Sequence, residues 1–233
     1  FKVDNYDSLK EPLEKILNVL NIQTNNKKIL LKPNLLLNDS VEKAIVTHPK
    51  FISGVANIFN NNYLYIGEGT GKQSKEGTDE VFKYYNLKSY IKNDFKILNF
   101  DSDFVQVNIN NSKINKILLT KEIFNNYYII NLPKLKTHCL TLYTGSVKNL
   151  YGFLYRKQKQ IVHSKINSSE DFSDFLLDLY VYLKPQLHIM DAISIMEGDG
   201  PTNGNVNHLG VILASENGLE LDYVALKLIG YNP

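Results

Sequence analysis

Short apolar runs of strand length, each ended by turn residues and followed by residues at helical spacing, recur along this chain of 233 residues. That alternation constrains its fold more than any other feature. Lys28-Ile-Leu-Leu-Lys32 is apolar at its centre and stopped by Pro33-Asn34, which predicts a buried strand ending in a loop. His48-Pro49 opens a turn, and Phe51 to Phe59 has the spacing of a helix. Tyr63-Leu-Tyr-Ile66 predicts the next strand, runs into Gly67-Glu-Gly-Thr-Gly71, and is followed by helical spacing over Thr78 to Tyr85. Ahead of them, Leu13, Ile16, Leu17 and Leu20 fall on one stripe of a helix over Leu9 to Leu20. Strand, loop and helix in repetition predict an α/β protein: a mostly parallel sheet with helices on both faces.

The middle of the chain departs from this rhythm. Lys96 to Asn99, Phe104 to Ile109 and Lys113 to Leu118 are short alternating runs, with Asn110-Asn111 as a hairpin tip. They predict an inserted antiparallel β segment around 96–118. Further on, strands are expected at Tyr127 to Asn131, Leu187 to Asp191 and Leu209 to Ser215. A short helix is expected at Thr144 to Tyr151 with Gly152 as its stop, and longer ones at Phe172 to Leu183 and Leu219 to Ile229. No internal repeat or linker divides the chain, so a single α/β domain over 1–233 is expected. Phe1 opens almost inside a strand pattern and Pro233 closes just after a helix, so the chain reads as one cut from a longer protein at its C-terminus.

A net charge of +2 is too small for an ordinary nucleic-acid binder. No apolar run approaches the ~20 residues that span a bilayer, and no basic-then-apolar leader opens the chain. The one cysteine, Cys139, permits no internal disulfide or CxxC metal pattern. A reducing, cytoplasmic setting is expected, with neither nucleic acid nor membrane as partner. Cys139 itself reads as a small buried hydrophobe. Asn-x-Ser/Thr triplets at Asn38, Asn110 and Asn167 are at chance level in so asparagine-rich a chain.

Ligands of open parallel sheets bind beyond the carboxyl ends of the strands. Four expected loops lie there: Lys32 to Asn34, Gly67 to Lys72, Pro133 to His138, and Asp191 to Gly204. The richest stretch, Pro133 to Asn149, carries Lys134, Lys136, His138 and Lys148, with Thr144 and Gly145 near a helix start. Ammonium groups and free helix amides suit a carboxylate or phosphate; a solvated loop with scattered lysines is the plainer alternative. Gly67 to Lys72 fails the P-loop pattern, having three residues between Gly67 and Gly71 and Gln73 after Lys72. Glu68 is nevertheless a strand-end carboxylate that could act as a base. Asp191 and Glu197 could hold a divalent metal, although Gly, Asp, Asn and Pro also make ordinary surface loops. His48, His138 and His163, on expected loops, suit proton transfer. His188 lies inside an apolar strand and reads as structural.

Taken in order, Leu31-Lys-Pro-Asn34, Thr47-His-Pro49, Ile130 to His138, Thr144 to Gly152, Met190-Asp-Ala192, Met196 to Pro201 and Leu221 to Ala225 resemble the motifs of the family of domain-of-unknown-function 362. That resemblance implies a prokaryotic protein, often accompanied by a ferredoxin-like module with two 4Fe–4S clusters; no cysteines for such clusters occur here. His138 and Lys148, ten residues apart with Gly145 between them, are also similar to the N-terminal domain of nickel-dependent lactate racemases. By that likeness the histidine would act as acid/base, the lysine would anchor a nickel pincer nucleotide, and His163 would fall near the nickel ligand. The second catalytic histidine of that family has no counterpart in Gly67 to Lys72.

These observations set one expectation against two alternatives. The first is an enzyme acting on a small anionic metabolite, coupled to electron transfer from a ferredoxin-like module. In it Lys32, Asn34, His48, Lys134, Lys136, Thr144, Lys148 and Asn149 hold the anion, while His138, His163 or Glu68 moves a proton. The alternatives are a non-catalytic cofactor- or nucleotide-binding module and a protein-interaction domain, which the 15 tyrosines would permit.

Overall fold

A computed structural model describes residues 1–139, 141–166 and 168–232. The triplet at Asn167 and the chain end at Pro233 lie outside the described residues. In chain order the elements are α1 (Lys10–Val19), β1 (Lys28–Pro33), α2 (Pro49–Ile58), β2 (Tyr63–Glu68), α3 (Lys75–Tyr85) and β3 (Phe95–Asn99). A hairpin of β4 (Phe104–Asn108) and β5 (Lys116–Thr120) follows. After it come β6 (Tyr128–Leu132), β7 (Lys134–His138), β8 (Leu142–Thr144), α4 (Ser146–Asn149), α5 (Gln158–Lys165), α6 (Ser169–Leu183), β9 (Leu187–Glu197), β10 (Asn205–Ser215) and α7 (Gly218–Leu228).

One eight-stranded sheet carries the fold. β1 pairs parallel with β2 on one side and β6 on the other, and β3 extends the sheet parallel beyond β2. β9 runs parallel to β6 and then to β7, while β10 on β9 and β8 on β7 are antiparallel. The alternation of strand side chains explains the uniformly apolar runs. Ile29 and Leu31 face a core built with Leu13, Phe51, Val55 and Val81 of the first three helices. Leu30 and Ile129 face a second core that holds Phe175 and Leu179 of α6 and Ile117 and Leu119 of the hairpin. A third cluster packs Leu221 and Ala225 of α7 on Met190 and Ala192.

The antiparallel segment in the middle is the β4–β5 hairpin, paired from Phe104↔Thr120 to Asn108↔Lys116. The run before it, β3, is a parallel edge strand of the main sheet. Two expected loops are strands instead. Pro133, which has no N–H to give a ladder, interrupts β6, and the chain continues as β7 through Lys134 to His138. β9 extends from Leu187 to Glu197, six residues past Asp191. Both were disguised by polar residues that alternate with apolar ones yet point into the protein. Lys134 and Lys136 are 1% and 2% exposed.

Candidate functional site

Two buried ion pairs frame the strand ends. Lys32 Nζ, at the end of β1, donates to Glu68 Oε2 at 2.7 Å and to the Pro33 carbonyl at 2.8 Å. Glu68 also accepts the backbone amides of Leu35 at 3.1 Å and Gly69 at 2.9 Å. The carboxylate expected as a base is therefore held on both oxygens. Gly152, expected only as a helix stop, has a steric role here: a Cβ on it would lie 2.2 Å from Glu68 Oε1 and 2.7 Å from Lys32 Nζ. Gly152→Ala should push the pair apart in the interior and lower stability by about 2–4 kcal/mol. A urea unfolding midpoint unchanged from the parent would refute this.

The second pair is Lys134 Nζ to Asp191 Oδ2 at 2.9 Å. Asp191 also accepts Tyr6 OH at 2.9 Å and the His48 amide at 3.0 Å, and the Tyr6 ring stacks on His48 with centroids 3.9 Å apart. His48 Nδ1 accepts the Lys50 amide and caps α2. Its ring is pushed down to about 4, by burial first, with Asp191 pulling the other way and Lys134 adding to the drop. Lys134 and Asp191 thus spend their polar atoms on each other and on Tyr6 and the His48 amide, while Lys50 takes Nδ1 of the His48 ring. Glu197, expected beside Asp191 as a metal ligand, is exposed and six positions along the same strand, ~20 Å away. Among the described residues no three His, Cys, Asp or Glu side chains are arranged to hold a metal ion.

Between these pairs lies a cavity of about 110 Å³. Lys136, His138, Thr144 and Lys148 line it, together with Asn34, Glu68, Asn149 and a residue the sequence did not mark, Lys159. Lys136 Nζ donates to the Ile45 carbonyl at 2.6 Å and to Asn34 Oδ1 at 3.3 Å. Lys148 Nζ stands 5.6 Å from the Tyr151 ring centre and 5.7 Å from that of Phe172. Lys159 Nζ reaches the Thr70 carbonyl at 3.5 Å. Among the described residues no carboxylate lies within 4.0 Å of any of these three ammonium groups, whereas Lys32 and Lys134 each have one. Thr144 Oγ1, which is buried, has no hydrogen-bond partner among the described residues.

Unbalanced charge shows in the titration of these groups. Lys136 is pushed down to about 7 by burial, then by Lys148 and Lys134, with Glu68 opposing. Burial takes Lys148 to about 8 and lowers Lys159 as well. His138 falls to about 3, through burial and then the charges of Lys148 and Lys136. Each shift records first the cost of burying positive charge, which the Glu68 carboxylate, itself paired with Lys32, offsets only in part.

Helix amides, by contrast, are not available. α4 is only four residues long, and Asp222 of α7 accepts its Ser146 and Val147 amides at 2.6 and 2.9 Å, along with Tyr143 OH at 2.9 Å. The expectation of free amides after Thr144 is corrected: the chain supplies its own anion there. Asp222 is pushed up to about 6 by its burial. A lone acid on the covered side of α7 was the signal for it.

His163 sits in helix α5 and not in a loop, its ring 4.8 Å from Phe172 and 5.3 Å from Tyr151. With His138, Cys139, Ile166 and Phe172 it lines a neighbouring groove of about 420 Å³. Cys139 is exposed, not buried. His188 is buried, with Nδ1 facing Ser146 Oγ and Asn131 Nδ2, a structural placement. At about 110 Å³ the cavity is well below the ~300 Å³ of pockets that take drug- or cofactor-sized ligands. The residues present therefore fit a small anion and not a nucleotide cofactor within it.

The family model described as a domain of unknown function (DUF362) matches residues 29–227. A thylakoid-associated protein of Synechocystis sp. is 28% identical over 229 residues, covering 97% of this chain and 70% of that protein. Two solved structures are similar in fold. A Thermotoga maritima protein has a TM-score of 0.60 at 10% identity, over 98% of this chain and 60% of its own. The lactate racemase apoprotein of Thermoanaerobacterium thermosaccharolyticum has a TM-score of 0.58 at 12% identity, over 95% of this chain and 54% of its own. The chain therefore spans little more than half the length of these two proteins.

Proposed function

Because this chain belongs to the DUF362 family, whose description assigns no activity, we propose from the cavity itself that the protein binds a small anionic metabolite and moves a proton on it. One observation carries the reading: Lys136, Lys148 and Lys159 line one small cavity whose one carboxylate among the described residues, Glu68, is paired with Lys32 and lies more than 4.0 Å from all three ammonium groups. Buried unpaired charge is costly, and an anionic ligand removes that cost at the moment of binding. The same ligand turns on the proton chemistry. A negative charge beside Lys136 and His138 raises the proton affinity of both. His138, pushed down to about 3 without a ligand, is thereby moved towards the range that suits transfer near neutral pH. Likeness in fold to lactate racemase supports a proton-moving role without specifying the substrate.

The test is exchange of carbon-bound hydrogen. A panel of 2-hydroxy acids, 2-oxo acids and phosphate esters is incubated with the full-length protein in heavy water and followed by proton NMR. One member should lose a C–H signal, and His138→Gln should slow that loss by about 100-fold or more while binding persists. Failure of every member to bind would end the anion reading. Binding without exchange would favour a non-catalytic binding module. Electron delivery from 4Fe–4S clusters would have to come from another stretch of protein, since Cys139 is the one cysteine here. A cytoplasmic location stays within this proposal. No helix among the described residues is long and apolar enough to cross a membrane, and the Synechocystis relative is named for an association with thylakoids.

A further inference from the structure

We propose that the group held in the cavity is a dianionic oxyanion of the phosphoryl class and not a monocarboxylate; this rests on the anion reading above and narrows its substrate class. The argument is charge balance in a confined space. Five lysines reach into this part of the interior, and two of them, Lys32 and Lys134, are matched one to one by Glu68 and Asp191. Lys136, Lys148 and Lys159 are left over, because Glu68, the one carboxylate lining the cavity among the described residues, is already taken by Lys32. A monoanion would leave two of the three positive charges uncompensated, whereas a dianion leaves one. The two charges of a dicarboxylate sit at opposite ends of a chain. All three lysines here line a single cavity of about 110 Å³, which suits two charges carried on one group.

The donors agree in number and kind. Lys136 has two protein acceptors, Lys159 one long contact, and Lys148 Nζ lies against two ring faces. Thr144, 4% exposed, has no partner for its Oγ1 among the described residues. Four donor groups around one small space suit the three free oxygens of a phosphoryl group better than the two of a carboxylate. The cavity wall at His138 is also a wall of the groove beside Phe172 and His163, so an esterified phosphoryl group has somewhere to extend. Protonation supports the charge count. Lys136 and Lys148, depressed to about 7 and about 8, should take up protons when a dianion enters at pH 8.

Isothermal titration at pH 8 in two buffers of different ionisation enthalpy tests this, with inorganic phosphate, acetate and phenyl phosphate as probes. Inorganic phosphate should bind at least about tenfold more tightly than acetate, with net proton uptake. Lys159→Met should weaken phosphate by about tenfold or more and acetate by less than about threefold, and Lys159→Arg should keep the preference. Phenyl phosphate binding above inorganic phosphate assigns the group to an ester that uses the groove; the reverse order assigns free phosphate. Acetate equal to phosphate, or equal losses of both in Lys159→Met with the fold intact by circular dichroism, would overturn the dianion while leaving the anion site standing. Binding of none of the three probes would remove both readings.

Discussion

Asp191→Ala is expected to lower the stability of the folded chain by about 3–5 kcal/mol, the usual cost of stranding one member of a buried ion pair. Asp191 is fully buried, and four donors converge on it: Lys134 Nζ, Tyr6 OH, the His48 amide and, at 3.4 Å, the Ile193 amide. Deleting the carboxylate leaves the Lys134 ammonium 1% exposed, with Tyr6 OH at 3.0 Å as its remaining polar partner. It also releases the start of α2, because the His48 amide is part of the turn that opens that helix. The damage comes from the uncompensated charge more than from the lost contacts. Lys134→Met in the Asp191→Ala background should therefore recover at least about 1–2 kcal/mol of the loss. Urea unfolding of the two single variants and the double variant measures this. A loss below about 1 kcal/mol for Asp191→Ala, or a double variant no better than Asp191→Ala alone, would show that the pair does not behave as a buried charge pair.

Strands buried on both faces were legible because both faces demand apolar residues. Leu30 and its neighbours Ile29 and Leu31 enter different cores, so the run reads as apolar without a period. Charge inside the protein was not legible. Lys134-Leu-Lys-Thr-His138 looks like a solvated loop, since nothing local says that Asp191, 57 residues on, will neutralise Lys134. Glu68 was visible as a strand-end carboxylate, but its partner lies 36 residues earlier. Lys159 sits among Gln158, Gln160 and other lysines, the composition of an ordinary solvated helix. Its burial depends on packing beneath Gly69 and Thr70, on the β2 side of the cavity. Asp222 closes α4 from 76 residues away. Each of these partnerships is long-range, and residue type alone does not fix whether a charge finds its opposite in the fold or waits for a ligand.

Lys136→Met separates these two fates, because it should weaken binding and strengthen the fold together. The Lys136 ammonium is 2% exposed and meets a carbonyl and an amide oxygen, not a carboxylate. Its folded value of about 7 lies below the 10.5 of the ordinary amine. Between those pH values the unfolded chain holds a proton that the folded chain lacks, so folding stability rises with pH through that window. Below about 7 the full penalty of the buried charge is present. Methionine fills similar space without a charge. The variant should be more stable than its parent by about 1–3 kcal/mol at pH 6, with the advantage shrinking towards pH 10. Leaving the Ile45 carbonyl without its donor offsets part of the gain. The slope will not vanish. Lys148 and Lys134, whose charges lower Lys136, are themselves lowered by burial, while the charge of Glu68 raises Lys136. Inorganic phosphate affinity should fall by about 30-fold or more, since a buried charged donor is gone. Unfolding midpoints at pH 6 and pH 10, with phosphate titrations beside them, decide the matter. A variant less stable than its parent at pH 6, or one that binds phosphate within about threefold of it, would mean that the Lys136 charge serves the fold and not a ligand.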